Sequence, residues 1–256
     1  MTGHLASIGR VWLRNAWVYR DRWYYGLLPN FFEPVFYLLG LGVGLGFYVS
    51  TGGAFEGDYL GFIIPGLIAA AAMNGASFET TYNVFVKLHF GRIYDATIAT
   101  PVGIEDVTLG EAAWAVTRAL IYGGVFLLVT IAFGTAFDAR LIAALGAIAL
   151  VGFAFAALGL AFTSIVPTID LFSYYFTLFL TPSFLFSDIF FPVAERFPPA
   201  LAAVAEATPL YRSVQLLRGV MGGDASSMPL DVAYLVTFGS LLLAFAVWRM
   251  RVRLVQ

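Results

Sequence analysis

The chain has 256 residues, 60% of them hydrophobic and 12% charged, with a mean hydropathy of +0.84 and a formal net charge of -2. Soluble domains carry about 45–50% apolar and about 25% charged residues, so this chain has too little polar surface for a water-soluble globule and belongs in a bilayer. The absence of cysteine excludes disulfides, thiolate catalysis and cysteine metal sites, and the two histidines, His4 and His89, stand too far apart in sequence to indicate a histidine-rich metal centre.

The first 25 residues carry arginines throughout, without an uninterrupted apolar core, so no cleavable signal peptide is expected. Leu5, Ile8, Trp12, Ala16, Tyr19 and Trp23 share one helical stripe, with Arg10, Arg14 and Asp21 opposite. That pattern predicts an interfacial amphipathic helix over 5–24, aromatic side in lipid and arginines toward headgroups; packing on protein is the other way to cover such a stripe. Apolar runs then predict six transmembrane helices, at Leu27–Val49, Tyr59–Glu79, Leu109–Thr135, Leu141–Ile165, Asp170–Phe191 and Asp231–Trp248. Each is long enough for a hydrocarbon layer of about 30 Å, and helices satisfy their own backbone in lipid.

Gly40, Gly42, Gly44 and Gly46 lie inside the first apolar run, without the strand and polar helix that a nucleotide fingerprint needs, and their spacing suits close helix packing instead. The connection 80–108 mixes polar, aromatic and charged residues. The connection 187–230 is broken by Phe191-Pro192, Pro198-Pro199 and Thr208-Pro209. Thr208 can cap a helix that has Pro209 at its first position and ends at Gly222, and two short helices dipping into the outer leaflet satisfy the pattern. A single transmembrane domain over 1–256 accounts for the chain.

Of the 14 lysines and arginines, nine fall on the side of the amino terminus, the 80–108 connection and the tail, against four on the other side, with Arg118 inside a span. This predicts both termini in the cytoplasm. No serine has a nearby histidine to serve as its base, the acidic pairs Glu105–Asp106 and Glu56–Asp58 sit in polar connections, and no GxxxxGK[ST] occurs. The chain is therefore expected to be no enzyme, with no catalytic, cofactor or metal site. Arg118 is expected to pair with Glu111, seven residues earlier on the same helix face, or with an acid on another helix. It is also a candidate for lining a substrate path. Phe36, Tyr37, Tyr174, Tyr175 and Phe179 are further path candidates, because aromatic faces suit acyl chains and sugar rings alike. An ion channel, an ion-coupled carrier and a scaffold remain alternatives. A carrier normally needs acids near mid-membrane, and the predicted spans place none there.

Four stretches then carry a resemblance: EPVFYLLGLGVGLG at Glu33–Gly46, YDATIATPVGIEDVTLGE at Tyr94–Glu111, FSDIFFPV at Phe186–Val193, and ATPLYRSVQLLRG at Ala207–Gly219. In their order, and in the size and span count of the chain, they resemble the membrane permease subunit of type-two ABC exporters, most nearly the lipo-oligosaccharide or nodulation-factor (NodJ-like) branch. The resemblance implies a homodimer in the inner membrane of a bacterium, docked on two ATP-binding subunits that hold ATP and Mg, with no nucleic-acid partner. It likens 5–24 to a connector helix, 80–108 to a cytoplasmic coupling segment and 187–230 to an outer re-entrant pair. It makes Arg14, Lys87, Arg92, Tyr94, Asp95, Thr97 and Pro101 the candidate contacts to the ATPase. The cargo implied is lipid-linked or amphipathic, with antibiotic or multidrug efflux as the alternative.

Overall fold

Backbone amides in an apolar medium find partners only within helices or closed barrels. In the computed structural model, which describes residues 2–21, 23–45, 59–91, 93–132 and 139–254, every regular element among the described residues is helical. In chain order they are α1 (Thr2–Asp21), α2 (Trp23–Tyr37) with a π-helical extension Leu38–Leu45, and α3 (Tyr59–Phe78) with π turns at Glu79–Asn83 and Val86–Phe90. Then come α4 (Ile93–Ile98), α5 (Ile104–Ala132), α6 (Ala139–Ile165), α7 (Phe172–Tyr174), α8 (Thr181–Leu185), α9 (Val193–Arg196), α10 (Pro199–Glu206), α11 (Pro209–Val220) and α12 (Met228–Leu254).

Four stretches of the described residues are long and apolar enough to cross a membrane: Tyr59–Phe90, Ile104–Ala132, Arg140–Ile165 and Met228–Arg253. They correspond to the second, third, fourth and sixth predicted spans. The second continues as helix to Phe90, into what the sequence marks as a connection. The first predicted span is represented by α2 and its extension to Leu45, and 46–49 lie outside the described residues. The fifth differs. Instead of one helix over 170–191 there is a 3-10 turn at Ile169–Leu171, then α7, a π turn at Tyr175–Leu180, and α8 ending at Leu185. Pro182 supplies no N–H to the carbonyl four residues earlier, so the ladder widens before it. The Thr181 hydroxyl donates to the Phe176 carbonyl at 3.0 Å.

The core forms where α3, α5 and α6 meet, around Ile63, Leu67, Met73, Ala119, Ile148 and Phe155. Small residues set the distances. A Cβ at position 152 would come within 2.5 Å of the Ala119 Cβ, and one at position 75 within 3.0 Å of the Arg118 carbonyl. Close backbone approach of this kind substitutes for the hydrophobic effect between helices in lipid. The expected close packing at Gly40 and Gly44 is not made among the described residues, where a Cβ at 40 would meet nothing and one at 44 only the backbone of its own helix; Gly46 lies outside the described residues. α12 packs on α6, and α11 on α3, α6 and α12.

Thr208 caps α11 by accepting from the Tyr211 amide at 3.3 Å, with Pro209 in the first turn, and Gly222 follows the helix at φ 111°. Asp188, itself at φ 65°, accepts from the Val193 amide at 2.7 Å, Gln215 at 3.0 Å and Arg218 at 2.6 Å. One side chain thus ties the segment after α8 to α11. At the opposite end of the bundle His4 meets Asp106 at 2.8 Å and Arg251 meets Glu105 at 3.4 Å, so the starts of α1 and α5 and the end of α12 lie together.

α1 corrects one expectation. The middle of its aromatic stripe faces protein, while Leu5 and Trp23 at its ends are exposed: Trp12 donates to the Thr117 hydroxyl at 2.9 Å, and the Trp12 and Tyr19 rings both pack edgewise on Trp114. Val11 is buried against Gly110, where a Cβ would come within 2.6 Å of it. The helix runs along α5 from Asp106 to Arg118, a distance of about 18 Å at 1.5 Å per residue. Its outward face carries Leu13 and Trp17, with Arg20 over the Trp17 ring. Glycine at 110 is the physical reason, because it opens a shelf that the Val11 side chain fills.

Candidate functional site

The polar residues of α1, the end of the α3 rod and the first half of α5 converge on one buried ion network. On α1, Ser7, Val11 and Asn15 form the buried i, i+4, i+8 stripe, which sets Arg14 and Asn15 over α5. Glu111 is buried on α5 and accepts from Arg14 at 2.9 Å on one oxygen, and from Asn15 at 2.9 Å and Lys87 at 2.8 Å on the other. Lys87 also donates to the Asn15 side-chain oxygen at 3.1 Å and reaches Glu79 at 3.5 Å. Asn83 donates to Glu79 at 2.9 Å, and the Arg118 Nε lies 3.5 Å from the same carboxylate.

Two carboxylates therefore serve three cations. The third, Arg118, gains the rest of its environment from rings: its guanidinium lies 4.4 Å from the Tyr19 ring centre and 4.9 Å from that of Tyr122, and it donates to the Tyr122 hydroxyl at 3.0 Å. Cation–π contacts of this kind strengthen on desolvation. Tyr94 on α4 is buried beside Glu111, and its hydroxyl makes no hydrogen bond among the described residues. Burial first, and then the Glu111 charge, hold its phenol well above the ordinary tyrosine range, so it stays neutral.

The α3 rod reaches the network through its two π turns. Thr80 and Thr81 turn their hydroxyls onto the Ala76 and Ser77 carbonyls at 2.8 and 2.6 Å, and Thr163 of α6 donates to the Thr80 carbonyl at 2.8 Å. π turns leave carbonyls without regular partners and mark functional positions in helices. Hydroxyls supply the missing partners here, and Gly159 leaves room for the Thr80 hydroxyl, which a Cβ would overlap.

The structure brings Arg14, Lys87, Tyr94 and Arg118 into this one network, and the pairing of Arg118 is with Glu79 on another helix. Thr97 and Pro101 stand apart in the 93–101 connection, Thr97 with its hydroxyl on the Ile93 carbonyl at 2.7 Å and Pro101 exposed. Arg92 lies outside the described residues, as does the side chain of Asp95. Among the path candidates, Tyr37 packs against Phe184, and Phe36, 67% exposed, stacks on Phe32. Tyr174 is exposed. Tyr175 is buried with its hydroxyl 3.1 Å from that of Ser77, and Phe179 stacks on Tyr175.

Sequence reasoning did not single out Asn15 or Asn83, and it placed Trp12 only on the apolar stripe. The signal was there as spacing: Glu79, Asn83 and Lys87 are polar residues every four positions, and Ser7 and Asn15 flank Val11 on one helical face. Among the described residues no group of three or more acidic or histidine side chains is placed to hold a metal ion. The network has no nucleophile at hand. What it provides is a rigid charged joint between three helices at one end of the bundle.

The profile of the ABC-2 type transporter family matches residues 7–221, which include every member of the network, and the chain belongs to that family: it is a multi-pass membrane subunit of an ABC transporter. Among curated relatives, the chain is 38% identical to nodulation protein J of Rhizobium leguminosarum bv. trifolii over 213 residues, 83% of this chain and 80% of that protein. It is 37% identical to nodulation protein J of Sinorhizobium fredii over 82% of this chain and 79% of that one, and 34% identical to that of Bradyrhizobium diazoefficiens over 85% and 83%. The chain is thus of the nodulation protein J branch of the family. No solved structure matches the chain.

Proposed function

We propose that the chain is the export permease of an ATP-driven complex, pairing with a second copy and docking two separate ATP-binding subunits that hold ATP and Mg. The observation that carries this is the Glu79–Lys87–Glu111–Arg14 network. It couples α1 and the end of the α3 rod to α5, directly beside the 93–101 connection. A docked motor that pushes on 80–108, through Arg92, Asp95, Thr97 and Pro101 with Tyr94 buried beneath them, would move these helices as one body. Breaking buried pairs costs about 3–5 kcal/mol, so the joint transmits displacement and does not yield to it.

Both termini are cytoplasmic in this proposal. The clustering of His4, Glu105 and Arg251 at one end of the bundle supports it, together with the excess of arginine and lysine on that side. The whole chain acts as one transmembrane domain in the inner membrane, with α10 and α11 dipping from the outer side. The cargo is an amphipathic or lipid-linked compound of the lipo-oligosaccharide kind, in keeping with the nodulation relatives.

Co-purification with the ATP-binding protein encoded beside it, followed by an ATPase assay in lipid nanodiscs, tests the proposal. The expected result is a complex with two copies of each subunit and vanadate-sensitive hydrolysis. Folded chain that recruits no ATPase, or transport that persists without ATP, overturns it and moves an ion-coupled carrier ahead.

A further inference from the structure

Acids inside a bilayer are expensive and are held by partners. Buried Glu79, Glu111, Asp188 and Asp231 all follow that rule, the last with Arg212 at 3.3 Å. Glu33 on α2 differs from them in being exposed, at the mouth of a cavity. Among the described residues it has neither a hydrogen-bond nor an ion-pair partner. It opens on a cavity of about 160 Å³ enclosed by α2, α3, α5 and the broken fifth stretch, whose polar lining is Glu33, Tyr37, Asn74, Tyr122 and Thr181. No lysine or arginine lines it among the described residues. Asn74 likewise has no partner among them, although it lies on a helix most of whose residues are buried.

The hydrogen-bonding capacity of this lining is one-sided. Glu33 only accepts when ionised. The Thr181 hydroxyl spends its proton on the Phe176 carbonyl and offers the cavity lone pairs. Tyr122 accepts from Arg118, which leaves its own proton to give, and Tyr37 and Asn74 can both give and accept. The cavity therefore has a surplus of acceptors, one of them a carboxylate, among apolar walls that include Leu67, Phe126 and Phe184. It is smaller than the roughly 300–1,000 Å³ that encloses a drug-sized molecule. A shallow groove along Phe32 and Phe36 shares Glu33 and Tyr37 with its lining.

We infer that this cavity is a head-group site for an amphipath whose head donates hydrogen bonds, through hydroxyls or an ammonium, while its tail lies along the Phe32–Phe36 groove. Glu33 and Asn74 set the specificity, and the Glu33 carboxylate rejects anionic heads. As a step in export the site rests on the transport function proposed above, but its binding chemistry needs no motor and is measurable on the chain alone.

The test uses the purified full chain in nanodiscs with three probes of one tail length: octyl glucoside, octylamine and octyl phosphate, each below its micelle concentration. The readouts are the rise in unfolding temperature and the affinity. The glucoside, the amine or both stabilise, and the phosphate does not; which of them binds identifies the head as hydroxylated or cationic. Glu33→Gln lowers amine affinity about tenfold or more and glucoside affinity by about threefold at most, since only the amine loses a charged partner. Asn74→Leu weakens the glucoside. Ala71→Leu, which fills the cavity from its wall, abolishes binding of every head. Equal stabilisation by all three probes, none by any, or affinities unmoved by the three substitutions overturns the site. If a variant fails to insert, the order of the three heads on the unaltered chain decides. Head-selective binding by a chain that recruits no ATPase removes the transport reading and leaves the site standing.

Discussion

Glu111 accepts from three donors on two other elements while almost fully buried, so its removal leaves Arg14 and Lys87 without their shared carboxylate. Glu111→Ala is expected to lose about 3–5 kcal/mol of stability, read as reversible unfolding in detergent micelles. Arg14→Ala, at a side chain that still reaches solvent, should lose less, about 1–2 kcal/mol. Equal losses would mean that the network does not centre on Glu111. Asp188 poses a different residue-scale problem, because its φ of 65° penalises any Cβ and its carboxylate holds the Val193 amide, Gln215 and Arg218. Asp188→Gly should be more stable than Asp188→Ala by about 1 kcal/mol, the backbone share of the loss, with both well below the parent. The ion pairs lay half open to sequence reasoning. Glu111 and Arg118 could be assigned to one face from their spacing, but Glu79 as the partner of Arg118 required knowing how α3 lies on α5.

Among elements, α1 and the α3 rod decide how motion reaches the bundle. Gly110 is the contact point: a Cβ there would press within 2.6 Å of Val11. Gly110→Leu is expected to lift α1 from α5, raising hydrogen–deuterium exchange across 5–20 by at least about tenfold and lowering ATPase stimulation in the assembled complex. Exchange that stays at the parent level would show that α1 is held elsewhere. Amphipathicity made α1 legible as a helix, since Trp12 and Tyr19 repeat with helical period. It did not say which apolar face meets protein, because two such faces exist and only Gly110 and Trp114 on a distant segment choose between them. The fifth stretch is helical over Phe172–Leu185, and its π turn has a local cause, Pro182, that was visible. How the chain absorbs a missing N–H, by a kink or by a π turn, depends on the hydroxyls and rings around it.

At the scale of the molecule, apolar side chains remain uncovered on two sides. Phe36 on α2 and Leu178 in the fifth stretch are 67% and 68% exposed, as is Leu241 on α12 at 68%. If a second copy covers the fifth stretch while lipid covers α12, a single cysteine at Leu178 should cross-link in membranes and one at Leu241 should not. The chain has no cysteine of its own to interfere. Cross-linking at Leu241 alone would place the dimer contact on the opposite face. Composition and hydropathy by themselves determined that the chain is helical and crosses a membrane, and they located α3, α5, α6 and α12, because lipid forces each span to satisfy its own backbone. The sequence also supplied the Thr208–Pro209 start of α11, whose cap is built from neighbouring residues. Only the tertiary structure decided that Arg14, Lys87 and Arg118 share two carboxylates, and that among the described residues Gly152 and Gly75 rather than Gly40 make the close approaches and Glu33 has no partner at the mouth of a cavity. Each depends on residues tens of positions apart meeting at one point, and a linear pattern fixes which face a side chain occupies but not what that face meets.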